Sequence, residues 1–536
     1  MTTLISATDT VTRDALAVLQ PGFTGTTAPD WVLRKIGEGL GSVALFGRNI
    51  RTPEQVTALT AQLRAERDDL LVAIDEEGGD VTRLEVRTGS SFPGNLALGH
   101  VDDLGLTRAV AQELGRRLAE CGVNLNWAPS ADVNSNPGNP IIGVRSFGAD
   151  TELVARHTAA YIEGLQAAGV AACTKHFPGH GDTAIDSHHA MPRIDVDLET
   201  LHARELVPFR AAIAAGSKCV MSAHILLPAL DPDRPATVSP QILTGLLREE
   251  LGYDGLIVTD AVEMQAIAAT YGIERGSVLA IAAGADALCV GGGLEDEGTV
   301  RRLRDALVAA VRSGELPEER LADAAARVRA LASWTQGARG TGSQPGAAAQ
   351  EGTAPGTGTG SDIGLVAARR AVRVTGSAAP LTEPGYVAAF TSASNIAVGD
   401  ETPWGVAAEL GRLLPGTETD TYSSETEEPV DAVLRAAGER RIVVVVRDVH
   451  RHAWMAGALD ALVARRPDTV VVEMGVPQSA PVGAPHIATH GAARVCGLAA
   501  AEVIVGGDAP PVSRDPRAPA PVAVLAQQGE PAVEPA

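Results

Sequence analysis

Cysteine is sparse in this chain. The five present (Cys121, Cys173, Cys219, Cys289 and Cys496) are an odd number, widely spaced and mostly set in apolar runs. That excludes a disulfide framework and reads as buried small hydrophobes in a reducing cytoplasm. Aromatic residues make up only 3% of 536 residues although 45% are hydrophobic, so alanine, glycine and valine carry the bulk of the chain. No apolar run reaches 18 residues, and residues 1–20 lack a basic stretch followed by an apolar core. Neither a membrane span nor a signal peptide is expected, and the expected location is cytoplasmic. Positive charge is also short: 44 Lys and Arg stand against 66 Asp and Glu, for a net charge of −22. Nucleic acid and anionic membrane are thereby disfavoured as partners. No G-x-G-x-x-G follows the first strand and no Walker loop occurs, so nucleotide binding has no support.

What is present is length and alternation. A chain of 536 residues is expected to hold two domains. Short apolar runs at 15–19, 43–46, 70–75, 124–128, 171–176, 219–224, 256–260 and 287–290 alternate with stretches of helical period. These include 53–67, 103–121, 151–168, 198–215, 240–251 and 273–283. Eight strands with intervening helices suit a (β/α)8 TIM-type barrel over residues 1–335, with an open doubly wound sheet as the competitor. Asp75, Asp132, Lys175, His176, His224 and Asp260 stand where strands stop, which is where barrel enzymes assemble their sites. Residues 336–361 are Gly/Ala/Thr/Gln/Pro-rich and read as a flexible linker. Periodicity returns over 362–508, with strands expected at 386–389, 441–447, 469–473 and 500–505, as in a smaller α/β sandwich domain. The Pro/Ala-rich tail, 509–536, is expected to be disordered.

The densest chemistry lies in Lys175-His176-Phe177-Pro178-Gly179-His180-Gly181-Asp182-Thr183, continuing to Asp186-Ser187-His188-His189. Glycine and proline break any helix here, so the polar groups ride on a loop leaving a buried strand. A solvated loop is the bland alternative, but four of the chain's 12 histidines fall within it. A metal site is the other: His176 and His180 would suit zinc on a helix, but Pro178 and Gly179 separate them and no H-e-x-x-H pattern or cysteine accompanies them. No metal or organic cofactor is expected.

Lys-His-Phe-Pro-Gly-His-Gly followed by Asp-Ser-His resembles the signature of the family 3 glycoside hydrolases, in their β-N-acetylglucosaminidase branch. The resemblance runs through most of residues 15–335. It implies a barrel followed by a smaller α/β sandwich, and a retaining, exo-acting enzyme. Its partner would be a small sugar substrate, a terminal GlcNAc glycoside of chitobiose or of cell-wall fragments; it says nothing of oligomeric state. Phosphorolysis in place of hydrolysis, glucose in place of GlcNAc, and an inactive sugar-binding module remain as alternatives.

The resemblance also assigns residues. Asp186 and His188 would be the acid/base dyad, an imidazole being able to donate and recover a proton near neutral pH. Asp260 would be the nucleophile. The family often has a second acid after it, and here that neighbour is Ala261. Asp260 reads equally as a helix N-cap, with Glu263 completing a capping box or acting as a rival nucleophile. Asp75-Glu76-Glu77-Gly78-Gly79-Asp80-Val81-Thr82-Arg83 is similar to the sugar-binding segment, with Asp75 accepting from hydroxyls beside Arg83. Asn139-Pro140-Ile141-Ile142-Gly143-Val144-Arg145 is similar to the loop that points Arg145 into the site. Lys175 and His176 would supply donors, and His224 a pocket wall or else a satisfied core histidine. In the second domain Asp448, His450, His452 and Glu473 lie near strand ends, in a domain read as structural or as a wall on the aglycone side.

Overall fold

In the computed structural model the described residues are 9–183, 191–291, 296–341, 362–392 and 401–507. The first body is built on eight short parallel strands: β1 (Leu19–Pro21), β2 (Ser42–Leu45), β3 (Leu71–Ile74), β4 (Leu125–Asn126), β5 (Ala171–Phe177), β6 (Cys219–Ser222), β7 (Leu256–Thr259) and β8 (Leu288–Val290). Strands β2 to β7 pair in chain order, β1 pairs with β8, and a parallel bridge from Val258 to Ala287 joins β7 to β8. On the remaining seam the Ser42 hydroxyl donates to Leu19 O at 3.2 Å. An open sheet would leave β1 and β8 at an edge; their pairing makes this a (β/α)8 barrel.

Side chains alternate along each strand. Leu71 and Ala73, Ala171 and Cys173, Cys219 and Met221, Leu256 and Val258, with Ala287 and Cys289, share one cluster inside the barrel. Their neighbours Val72, Ile74, Ala172, Val220 and Ile257 belong to the larger cluster beneath the helices. Both faces are apolar, as a covered parallel sheet requires. Val328, Leu331 and Ala332 of helix Glu318–Thr341 join the inner cluster, closing the end where the strands begin. Helices Pro53–Glu66, Leu104–Glu120 and Thr151–Ala167 start on Thr52, Asp103 and Asp150, each accepting from a first-turn amide.

The second body is a six-stranded sheet of β9 (Arg373–Thr375), β10 (Tyr386–Phe390), β11 (Glu418–Tyr422), β12 (Ile442–Val446), β13 (Val470–Glu473) and β14 (His486–Ala488). Its order is β11-β10-β12-β13-β14-β9, parallel except for β9. Helices Ile363–Ala371 and Arg494–Ile504 cover one face, and Pro429–Ala437 and Ala453–Arg465 the other.

Three sequence expectations change. Residues 15–19 are not a strand: helix Thr10–Ala17 covers most of them and β1 starts at Leu19. A short apolar run buried on a short helix carries no period that separates it from a strand. Residues 500–505 lie largely in helix Arg494–Ile504, for the same reason. Helix Glu318–Thr341 extends six residues into the stretch read as linker from 336, carried on by Thr335, which is buried against Asn124. The tail from 509 lies outside the described residues.

Among the described residues no helix is long and apolar enough to cross a membrane.

Candidate active site

The inner register, carried one step past each strand, brings charge to the mouth of the barrel. Asp75 follows Leu71 and Ala73, Lys175 follows Ala171 and Cys173, and Asp260 follows Leu256 and Val258. Lys175 Nζ lies 2.5 Å from Asp75 Oδ1 and 2.7 Å from Glu77 Oε1. Arg145 grips the other side of Glu77 with Nε at 3.0 Å and Nη2 at 2.7 Å, and Arg83 Nη2 stands 3.5 Å from Asp75 Oδ2. The Lys175, Glu77 and Arg145 side chains are 2–4% exposed, so this is a buried ionic network and not a surface pair. Burial opposes the charge on Glu77, but Arg145 and Lys175 outweigh it and hold the carboxyl well below its usual range. Burial likewise opposes the Lys175 ammonium, and Asp75 and Glu77 overcome it, so its pKa rises. Among the described residues, Glu77, His176 and Ile141 O engage four of the five Arg145 N–H groups, which leaves one Nη1 hydrogen.

Asp132 organises the motif loop. Its Oδ2 accepts from His176 Nδ1 at 2.7 Å and Ser130 Oγ at 2.9 Å, and its Oδ1 from the amides of His180 (2.7 Å) and His176 (3.2 Å). The carboxylate is fully buried; the desolvation cost is exceeded by His176 and His180, and the pKa is lowered. Arg145 Nη2 faces His176 Nε2 at 3.4 Å and can only donate, so the fitting tautomer carries its proton on Nδ1, toward Asp132. His180 is pushed down to about 4 by burial and then by His176, and is neutral at pH 7. Its Nδ1 meets Thr183 Oγ1 at 3.0 Å, while its buried Nε2 has no hydrogen-bond partner among the described residues.

The loop is fastened at several points. Asn139 Nδ2 donates to His180 O (2.9 Å) and Gly181 O (3.0 Å), tying the segment after β4 to the motif. A methyl group at Gly181 would stand 1.7 Å from Val133 O, so only glycine passes there. Beneath Gly179, Glu205 ends a π-helical turn, Leu201–Glu205, and pairs with Arg204, which also binds Asp182 at 2.6 Å. Asp186 and His188, expected as the acid/base dyad, lie outside the described residues.

Asp260 is partly buried; its amide donates to Ser222 O at 3.1 Å and its Oδ1 accepts from Ala261 N at 2.8 Å. The capping-box alternative does not hold. The next helix is Gln265–Tyr271 with Met264 at its cap, and Glu263 instead accepts from Gly291 N at 2.7 Å.

The sequence profile described as "Glycosyl hydrolase family 3 N terminal domain" matches residues 27–331, more than half of the 536. The chain belongs to glycosyl hydrolase family 3. It is 36% identical over 317 residues to a "Beta-hexosaminidase A" of Pseudoalteromonas piscicida, over 54% of this chain and about half (53%) of that protein. It is 37% identical over 300 residues to a "Beta-hexosaminidase" of Chromobacterium violaceum, over 54% of this chain and 81% of the other. A solved structure of a glycoside hydrolase family 3 beta-N-acetylglucosaminidase from Paenibacillus sp. str. FPU-7 superposes with a TM-score of 0.81 at 35% identity. That match covers 93% of this chain and 97% of the other.

In this family 3 glycosyl hydrolase the structure gathers Asp75, Arg83, Arg145, Lys175 and His176 in one network of direct contacts, with Asp260 on the same inner face. The contacts of His224 match the second of its two expectations, a satisfied histidine. Its Nε2 meets Ala261 O at 2.9 Å and its Nδ1 meets Thr237 Oγ1 at 2.7 Å, so it braces the backbone beside Asp260 from behind. Glu77, Asp132 and His180 hold more of the site than the sequence alone assigned to them. Asp132 had been visible only as a polar strand end, and Glu77 and His180 only as members of motifs.

Proposed function

We propose that this family 3 glycosyl hydrolase is a retaining, exo-acting β-N-acetylglucosaminidase that removes terminal non-reducing GlcNAc from chitobiose-type or cell-wall-derived glycosides. The observation that carries the reading is the placement of Asp260 on the same inner register, at the same barrel mouth, as the Asp75–Lys175–Arg145 network. Asp260 is the proposed nucleophile: its carboxylate attacks the anomeric carbon while His188 protonates the departing glycosidic oxygen. Water then attacks the glycosyl-aspartate with His188 as base. Asp186 orients that imidazole. Asp75 accepts from sugar hydroxyls; Lys175 and Arg145, already paired with acids, offer their remaining hydrogens to oxygen atoms of the substrate, while His176, with its one proton on Asp132, holds Arg145 in place. All five cysteines are buried and free, which suits action in a reducing cytoplasm.

The test is turnover of an aryl GlcNAc substrate, with trapping by a 5-fluoro glycosyl donor and peptide mass mapping. The expected result is GlcNAc release with an adduct on Asp260. Turnover without an adduct overturns the covalent mechanism, and accumulation of GlcNAc-1-phosphate in millimolar phosphate replaces hydrolysis with phosphorolysis.

A further inference from the structure

The turn that carries the acidic half of the sugar site is not held by the barrel alone. After β3 the chain folds back on itself: Glu77 N donates to Val81 O at 3.0 Å and Val81 N to Gly78 O at 3.3 Å. Gly78 and Gly79 take φ of +77° and +64° to make the reversal. One end of this turn is Glu77, bound to Arg145 and Lys175, and just beyond the other end is Arg83, beside Asp75. At its tip sits Asp80, with a side chain 2% exposed.

Both carboxylate oxygens of Asp80 are claimed by the second body. Arg447, which follows β12, forms an ion pair with Oδ2, and the amide of Ala492, beyond β14, donates to Oδ1 at 2.7 Å. Arg447 is itself fixed, its guanidinium lying over the Trp404 ring at 5.1 Å. The loop after β12 is pinned in turn by the buried Glu473, which accepts from Asp448 N at 2.9 Å and Gly475 N at 2.7 Å. Beside this, Arg494 donates to Ser91 Oγ at 2.8 Å and His450 Nε2 meets Pro137 O at 2.8 Å, in the segments that follow β3 and β4. The exposed pair Arg370–Asp103 at 2.8 Å also joins the two bodies, but at the cap of helix Leu104–Glu120 and not at this turn.

We infer that Asp80, clamped by Arg447 and the Ala492 amide, is a positioning residue through which the second body sets the Asp75–Arg83 turn for sugar binding. The role of the turn rests on the glycosidase reading above; the clamp does not. A buried acid with both oxygens satisfied from another body fixes the tip of a short turn, and small displacements of binding groups cost rate steeply. In this role the second body acts through the placement of Asp75, Glu77 and Arg83.

The test compares Arg447→Met, Arg447→Lys, Asp80→Asn and the control Arg370→Met in the full chain. Two readouts are used: hydrogen–deuterium exchange of amides 76–84, and kcat and KM on an aryl GlcNAc. Arg447→Met and Asp80→Asn are expected to speed exchange in 76–84 and raise KM roughly tenfold, with a smaller change in kcat. Arg447→Lys should recover part of both, and Arg370→Met should match wild type. Unchanged exchange and KM in Arg447→Met overturn the clamp, as does an equal loss in Arg370→Met, which would mean that general docking alone matters. If Arg447→Met does not fold, Asp80→Asn decides by the same readouts. Failure of the wild-type chain to turn over aryl GlcNAc removes the glycosidase reading, while the exchange comparison still decides the clamp.

Discussion

Lys175 bridges two acids, Asp75 and Glu77. With Asp75 at 2.5 Å and Glu77 at 2.7 Å, its removal leaves the buried Glu77 to Arg145 and the half-buried Asp75 to the more distant Arg83. Breaking a buried pair from one side is costly because a charge stays behind unpaired. Lys175→Met should therefore lose about 3–5 kcal/mol of stability in urea unfolding, together with most activity; wild-type stability would refute the network. Glu205 makes a different prediction at the same scale. Burial, only partly offset by Arg204, raises its carboxyl to about 7 from an ordinary 4.5. The folded chain thus holds this proton more tightly than the unfolded one. The contribution is fully present below about pH 4.5 and lost as pH rises through about 7. Glu205→Gln cannot titrate, so its stability relative to wild type should climb between pH 4.5 and 7.5, by at most about 3 kcal/mol. Melting temperatures of both proteins across that range check the sign. Much of the residue-scale pattern was readable in advance. Counting in twos from the strand interiors puts Asp75, Lys175 and Asp260 on the inner face. The same count puts Cys219 and Met221 inward but stops holding past Ser222, where Ala223 joins the outer cluster and His224 braces Ala261 O. What the count does not contain is who pairs with whom across strands, which is why Glu77, Asp132 and His180 stood out only in three dimensions.

Elements were legible where their period was long and their ends were capped. Helices Pro53–Glu66, Leu104–Glu120 and Thr151–Ala167 match the sequence within a residue or two because Thr52, Asp103 and Asp150 mark their starts. The apolar run at 500–505 offered no such mark, and Asp9, which caps the helix holding most of 15–19, stands six residues ahead of that run; both turned out largely helical. The reading of Asp260 as a cap failed for a tertiary reason: Glu263 is recruited by Gly291 N from β8's end, which delays the helix to Gln265. The motif loop offers the element-scale prediction. At Gly181 the obstacle to any side chain is the backbone oxygen of Val133, which cannot rotate away as a side chain would. Gly181→Ala must separate the motif from the segment after β4, breaking the Asn139 bonds to His180 O and Gly181 O. A loss of about 2 kcal/mol is expected in chemical denaturation, with a fall in kcat/KM. Retention of both would show that the segment after β4 yields freely.

At the scale of the whole molecule, the question is whether barrel and sandwich behave as one unit. Domains joined by modest, polar contacts ordinarily move and melt independently. Here the contacts are of another kind. The Asp80–Arg447 pair is nearly buried, the rings of His100 and His490 stack at 3.8 Å, and helix Ile363–Ala371 lies so close to the barrel that a methyl group at Gly364 would stand 1.9 Å from Ser91 O. Melting the sandwich alone would strand Asp80, a buried acid with its donors gone, and would free the turn that Glu77 ties into the barrel. Each body therefore raises the cost of unfolding the other. A calorimetric scan of the wild-type chain should show one transition with matching calorimetric and van't Hoff enthalpies. Gly364→Val, which forces off Ser91 a helix whose Ala367 packs in the barrel's cluster and whose Ala368 packs in the sandwich's, should cost about 1–3 kcal/mol and split the scan into two transitions, the sandwich melting first. Two separate peaks in the wild type would show that the bodies are only neighbours, and a single unshifted peak in Gly364→Val would show that the close approach of this helix does not couple them.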